Sequence, residues 1–125
     1  MTVSAFSSVS LKPPMVLICV DKTATIYPTL LVQDSIGISV LSEEQEKASR
    51  RFATKDVERF DDLAITRGKS GVALLDGSLA HLECRIIERH EGGDHTIFVA
   101  HVDGAAVLNG RPLLYYRGGY AQLER

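Results

Sequence analysis

Most short signatures that mark reactive or ligand-holding loops are missing from this sequence. It has no G-x-G-x-x-G and no G-x-x-x-x-G-K-[ST], so neither of those loops is there to cradle a nucleotide phosphate. The four histidines, His81, His90, His95 and His101, lack H-E-x-x-H spacing and no C-x-x-C occurs, so no metal site is expected. No G-x-S-x-G elbow is present, and spacing assembles no Ser-His-Asp triad. The two cysteines, Cys19 and Cys84, sit inside the apolar runs MVLICV and LAHLECRII and read as reduced, buried thiols rather than a disulfide or a nucleophile. Basic excess is lacking too: 14 Lys and Arg against 16 Asp and Glu give a net charge of −2, without the footprint that nucleic acid requires. Nothing resembles a signal peptide, and no apolar run approaches the roughly 20 residues that cross a bilayer. A cytoplasmic protein with no membrane partner is expected. With so little reactive chemistry of its own, the chain points to a borrowed cofactor or to none.

What is present is the material of one domain. A length of 125 residues gives a single core, and 45% apolar with 24% charged residues is ordinary for a globular chain. Met15 to Val20 is a short, continuously apolar run that predicts a strand buried on both faces. A short helix is expected from near Pro28, and Ile36 to Leu41 reads as another strand. Ser42-Glu43-Glu44-Gln45 has capping-box spacing and opens a helix running to about Ala53, with acids in its first turn and arginines in its last. Its apolar stripe, mainly Ala48 and Phe52, is thin.

The second half has the pattern of a β meander. Asp76-Gly77 is a turn signal. Beyond it Ala80, Leu82, Cys84 and Ile86 fall on one face and His81, Glu83, Arg85 and Arg89 on the other, with Ile87 out of phase. Gly92-Gly93-Asp94 predicts a hairpin into HTIFVAHV, a strand apolar on both faces that suits a barrel wall and a subunit interface. Asn109-Gly110 predicts a further hairpin into RPLLYY. About six strands and one clear helix make the fold mainly β, a small closed or half-closed barrel that hides its sheet edges.

Three stretches carry candidate chemistry. SAFSSVSLKPP places Ser4, Ser7, Ser8 and Ser10 before a double proline. It is either a surface turn or a set of hydroxyl and amide donors for an anion or a heteroaromatic edge. GGDH puts His95 at a hairpin mouth, and RPLLYYRGGY puts tyrosines and an arginine beside glycines. Local chemistry leaves each of these open between a structural and a binding role.

Taken in order, SAFSSVSLKPPMVLICV, LSEEQEKASRRFA, LAHLECRI, GDHTIFVAHV and RPLLYYRGGY resemble the flavin reductase-like family over essentially the whole chain. The resemblance implies an FMN-binding split β-barrel with one or two short helices, forming a homodimer. It implies an oxidoreductase that uses NADH or NADPH to reduce FMN, or FAD in some members. Many such enzymes supply reduced flavin to a separate flavin-dependent monooxygenase. Carried over by position, the flavin-contacting residues are Ser4, Ala5, Phe6, Ser7, Ser8 and Ser10, with Lys22 and Thr25 from the DKTAT segment and Arg51 and Phe52 at the end of the capped helix. Lys22 would pair with the flavin phosphate as a point charge. Tyr115, Tyr116, Arg117 and Gly118 match the nicotinamide-nucleotide segment, and His95 matches a histidine near the same cleft, the candidate catalytic group. Relatives carry an N-terminal helix and first strand ahead of a Gly-Met-Thr, whereas here Met1-Thr2 occupies that Met-Thr position. An N-terminally shortened domain with an uncovered sheet edge is therefore expected over residues 1–125. Two other readings stay in view: a flavin-binding carrier or sensor without reductase activity, and a β-domain that has lost its ligand.

Overall fold

The computed structural model describes residues 1–54 and 63–124. In chain order the elements are β1 (Phe6–Leu11), β2 (Pro14–Asp21), α1 (Tyr27–Val32), β3 (Ser35–Val40), a 3-10 turn (Glu43–Gln45) leading into α2 (Glu46–Ala53), β4 (Ile65–Arg67), β5 (Ala73–Leu75), β6 (Ala80–Gly92), β7 (His95–Val107), β8 (Leu113–Tyr116) and β9 (Gly119–Gln122). One five-stranded sheet has the order β1-β2-β7-β6-β3, entirely antiparallel, and two hairpins, β4-β5 and β8-β9, attach to it as separate two-stranded sheets.

Pairing across the sheet builds the core. Ile18 faces Phe98, Val16 faces Ala100, and Ile86 faces Ala100 from the other side. Because opposed residues share a face, Val16, Ile18, Val20, Ile36, Cys84, Ile86, Phe98 and Ala100 make one continuous apolar floor, roofed by Leu30 of α1. Val20 and Phe98 are completely buried. Removing a buried side chain of the size of Phe98 costs about 3–5 kcal/mol, a large share of a small domain's stability. The run Met15 to Val20 is less symmetric than expected: Val16, Ile18 and Val20 are buried, while Met15, Leu17 and Cys19 on the other face are only half-buried. β7 is closer to the expected doubly covered strand, with Thr96, Phe98, Val99 and Ala100 all buried.

Ile87 is out of phase because it is an extra residue. Ile86 faces Ala100 and Glu88 faces Val99, so Ile87 forms a β-bulge. Beyond the bulge the faces exchange, which corrects the expected placement of Arg89. It lies opposite Phe98 on the inner face, with its guanidinium 5.9 Å from the ring centroid. It donates to the carbonyls of Leu30 at 3.2 Å and Gln33 at 2.8 Å, satisfying the end of α1.

Three other expectations change. The serine-rich stretch is strand β1, an edge strand exposed along most of its length. Asn109-Gly110 does not join β7 to β8 as a hairpin. β8 pairs with β9 through Arg117-Gly118 and meets the rest of the chain at a bridge between Ser42 and Pro112. The β4-β5 hairpin lay outside the sequence reading. It packs on β3 where Gly37 leaves room, since a Cβ there would stand 2.9 Å from the Ala73 carbonyl.

The capping box is present. Ser42 N–H donates to Gln45 Oε1 at 2.9 Å, and Gln45 Nε2 reaches across to the Asp76 carbonyl at 3.0 Å. Both cysteines are free, Cys84 buried and Cys19 half-buried. Burial, then the nearby Asp103 and Glu83 carboxylates, push the Cys84 thiol up to about 11 from an ordinary 9.0. A raised pKa favours the protonated folded form, so stability is full below the unfolded value and declines as pH rises toward the folded one. Between pH 9 and 11 the unfolding free energy should therefore fall by up to about 2 kcal/mol through this thiol. Urea titrations at pH 8, 9.5 and 11 on the parent and Cys84→Ala test this. Equal alkaline losses in both would remove Cys84 as the source.

Candidate functional site

Two corners of the domain collect the candidate residues. The first forms where β1, the end of β2 and the β6-β7 hairpin adjoin. Along β1, Phe6 and Ser8 pair with Ile18 and Val16 and face inward, while Ser7 and Ser10 pair with Leu17 and Met15 and face outward, Val9 lying at a register shift. Cys19 N–H donates to the Ala5 carbonyl at 3.0 Å, which fixes the strand's start. Ser7 Oγ donates to the Ser8 carbonyl at 3.0 Å. Among the described residues the hydroxyls of Ser4, Ser8 and Ser10 have no hydrogen-bond partner. An exposed strand with unpaired hydroxyls is what a polar ligand edge needs, so the residues fit a flavin as donors.

Next to it, Asp21 closes the turn after β2 by accepting from Thr23 N–H and from Thr23 Oγ1, each at 2.7 Å. Thr25 is exposed on this turn. Asp21 pairs with His95, and Lys22 N–H donates to the Asp94 carbonyl at 3.0 Å, so the turn and the hairpin mouth are one unit. Lys22 Nζ lies 2.6 Å from Glu91 Oε2. This hydrogen bond is the main cause that raises the Lys22 pKa above 10.5. Lys22 thus already has a carboxylate partner within the chain. His95 Nδ1 stands 2.7 Å from Asp94 Oδ1, so an Nδ1–H donates to that carboxylate and the Nε2 edge is turned away from it.

The second corner centres on α2. Thr2 Oγ1 donates to the Ser49 carbonyl at 2.6 Å and Thr2 N–H to the Phe52 carbonyl at 3.2 Å, tying the chain just before Ser4 to the turn that carries Arg51 and Phe52. Buried Ser49 also shares a 2.7 Å hydrogen bond with Tyr120 Oη. Arg50 lies 4.7 Å over the Tyr120 ring, and Tyr115 packs edge-on to that ring at 5.3 Å. These contacts seat the β8-β9 hairpin on α2. Between them is a cavity of about 260 Å³ lined by Arg50, Ala53, Thr54, Tyr115, Gly118 and Tyr120, among others. Tyr115 and Tyr116 are exposed. Ser49, Arg50 and Tyr120 were not singled out in the sequence. The signal for Tyr120 is its register opposite Tyr115 across a two-residue turn, and Ser49 gives none beyond its place beside Ala48.

The resemblance places His95 and the Tyr115–Gly118 segment near one cleft. Among the described residues no hydrogen bond, ion pair or ring contact links His95 to Tyr115, Tyr116, Arg117 or Gly118. The reason lies in β7. His95 is the first residue of β7, whereas the hairpin follows that strand's last residue, Val107, and meets the chain at the bridge between Ser42 and Pro112. The larger cavity, about 530 Å³, adjoins β4-β5 and is lined by His81, Glu83, Asp103 and small residues of β7, with none of the candidate residues.

The domain is mainly β with an exposed, hydroxyl-rich edge strand, and no cluster of metal-ligating side chains occurs among the described residues. Comparison with known proteins is specific. Residues 1–124 match the family model described as flavin reductase like domain, and the chain belongs to that family. It is 44% identical over 124 residues to an NADH-dependent FAD reductase of Streptomyces globisporus, covering 95% of this chain and 68% of that one. It is 40% identical to the FMN reductase (NADH) SmoA of Agrobacterium fabrum, covering 100% and 71%. It is 36% identical to the monooxygenase reductase subunit HsaB of Rhodococcus jostii, covering 96% and 62%. The solved NADH:FAD oxidoreductase of Streptomyces globisporus superposes with a TM-score of 0.96 at 40% identity, covering 100% of this chain and 78% of that chain. The architecture is therefore the split barrel of flavin reductases.

Arg117 has φ 52° and Gly118 φ 79°, so the β8-β9 turn is type I′ with a non-glycine residue in left-handed conformation. That conformation costs roughly 1 kcal/mol and favours Asn. Arg117→Asn should raise the melting temperature by about 1–4 °C. A fall measured by calorimetry would mean that the arginine side chain itself holds the turn.

Proposed function

We propose that this chain is an NAD(P)H-dependent flavin reductase that reduces FMN or FAD and passes the reduced flavin to a separate monooxygenase. The observation that carries the reading is the exposed, hydroxyl-rich segment Ser4–Ser10, most of it in β1, beside the Asp21–Thr25 turn and His95, within a whole-chain family match. Relatives named as reductase components of monooxygenases support the recipient, among them HsaB and the reductase component of a 4-nitrophenol monooxygenase of Rhodococcus opacus.

When bound, the flavin supplies the two-electron chemistry by taking hydride from the nicotinamide C4, which needs the rings stacked within roughly 3–3.5 Å. The protein's own work is positioning. Ser4, Ser8 and Ser10 offer hydroxyl donors, and Ala5, Phe6 and Ser7 hold the strand against β2. Lys22 and Thr25 face the polar tail, with Arg51 and Phe52 closing the α2 side. Tyr115 and Tyr116 present exposed rings on which a nucleotide base can lie, and Arg117 offers a charge to its phosphates. His95, with its Nδ1–H donating to Asp94, presents its Nε2 edge for the nicotinamide amide or for a proton.

The site is completed by a second copy in this reading, with one protomer's hairpin serving the other's flavin corner, because no contact among the described residues links His95 to the Tyr115–Gly118 turn within one chain. The half-buried outer face of β2, with Met15, Leu17 and Cys19, supplies a surface for that homodimer. The second reading is a flavin carrier without reductase activity. A soluble, cytoplasmic location accords with a described chain in which no helix is long and apolar enough to cross a membrane.

Following NADH absorbance after adding FMN separates the two readings: consumption is expected, and flavin binding without it would leave the carrier. His95→Ala should lower kcat by about 10²-fold or more while changing flavin Kd little. Unchanged NADH oxidation in that variant would take His95 out of the mechanism.

A further inference from the structure

The Lys22–Glu91 pair has a consequence for which flavins this site prefers. Val20 and Thr96 face each other on the inner side of the sheet, and Thr96 faces Glu91. Lys22, two residues beyond Val20, reaches that same row at the rim. The Lys22 side chain is one-third exposed, while that of Glu91 is four-fifths exposed, and their charged atoms meet at 2.6 Å. Asp94 adds negative potential at the same point. A phosphate approaching Lys22 therefore meets a cation already held by a carboxylate of its own sign, at a place open enough for one anion to replace the other. A carboxylate and a phosphate oxygen make the same charge-assisted contact with an ammonium.

We propose that Glu91 is a specificity-determining residue, an internal competitor whose carboxylate occupies Lys22 until a flavin phosphate displaces it. This rests on the reading of Lys22 as a flavin-phosphate contact. The exchange lowers affinity for phosphorylated flavins and leaves riboflavin, which has no phosphate, untouched. It also keeps Lys22 extended and in place while no ligand is bound. The chain thereby favours release of flavin after reduction over tight retention.

The test is flavin binding by fluorescence quenching, with FMN and riboflavin as probes, on the full chain and its Glu91→Gln, Lys22→Met and doubly substituted forms. An exposed ion pair contributes little, so Glu91→Gln should tighten FMN by only about three- to fivefold and leave riboflavin unchanged. In the Lys22→Met background the same change should have a smaller effect, because the two substitutions are coupled. If Lys22→Met leaves the ratio of FMN to riboflavin affinity unchanged, Lys22 does not meet the phosphate, and the proposal falls with that reading. If Lys22→Met weakens FMN alone but Glu91→Gln does not tighten it, Lys22 stands and the competitor role of Glu91 is overturned. An undiminished Glu91→Gln effect without Lys22 would mean simple through-space repulsion, which also overturns the exchange.

Discussion

The contact between Phe98 of β7 and its neighbours on β2 and β6 is the constraint on which the rest of this domain depends. Phe98 and Val20 are wholly removed from water, and α1 closes over them through Leu30. Arg89 ties that cover down by lying over the Phe98 ring and bonding two carbonyls at the end of α1. With these strands in register, the turns at their ends have little freedom. The Asp21–Thr25 turn and the β6-β7 hairpin are neighbours because Asp21 and His95 are the last rung of the β2-β7 ladder. The polar corner is thus placed by apolar packing several residues away, as expected when a rigid scaffold carries binding groups on its loops.

The second corner is held differently. Little apolar area seats the β8-β9 hairpin, and its attachment is a short chain of polar and aromatic contacts through Ser49, Tyr120, Arg50 and Tyr115. Ser49 is central because its carbonyl receives Thr2 while its hydroxyl meets Tyr120. The helix that carries it has only a thin apolar stripe, so hydrogen bonds decide how it sits between the N-terminal segment and the hairpin. Contacts of this kind contribute about 1 kcal/mol each and depend on geometry more than burial does.

How far the sequence foretold this differs by element and for physical reasons. β2, β3, β6, β7 and the helix opened by Ser42 were legible because branched apolar runs, alternation and a capping box are local signals. The alternation even flagged Ile87, although which side Arg89 would take depended on recognising an inserted residue there. β1 was obscured because serines have weak strand preference and only pairing with β2 makes them extended. β4 and β5 were missed because three-residue strands leave no period to read. Asn109-Gly110 misled because a turn dipeptide identifies a bend without naming the strands it joins. For the candidate site, the family resemblance supplied residues that local chemistry left undecided. Their division into two corners, and the capture of Lys22 by Glu91, come from tertiary placement that no spacing encodes.

The inserted Ile87 acts as a phase shifter. With Ile86 opposite Ala100, an uninterrupted ladder would turn Glu88 and His90 inward, and Lys22 would find an imidazole where it now finds Glu91. Instead the half-strand beyond the bulge is rotated as a block, while the buried half keeps its packing. Drawing Ile87 into the ladder opposite Val99 would therefore exchange the charges at the barrel's rim and also take Arg89 away from Phe98 and from the end of α1.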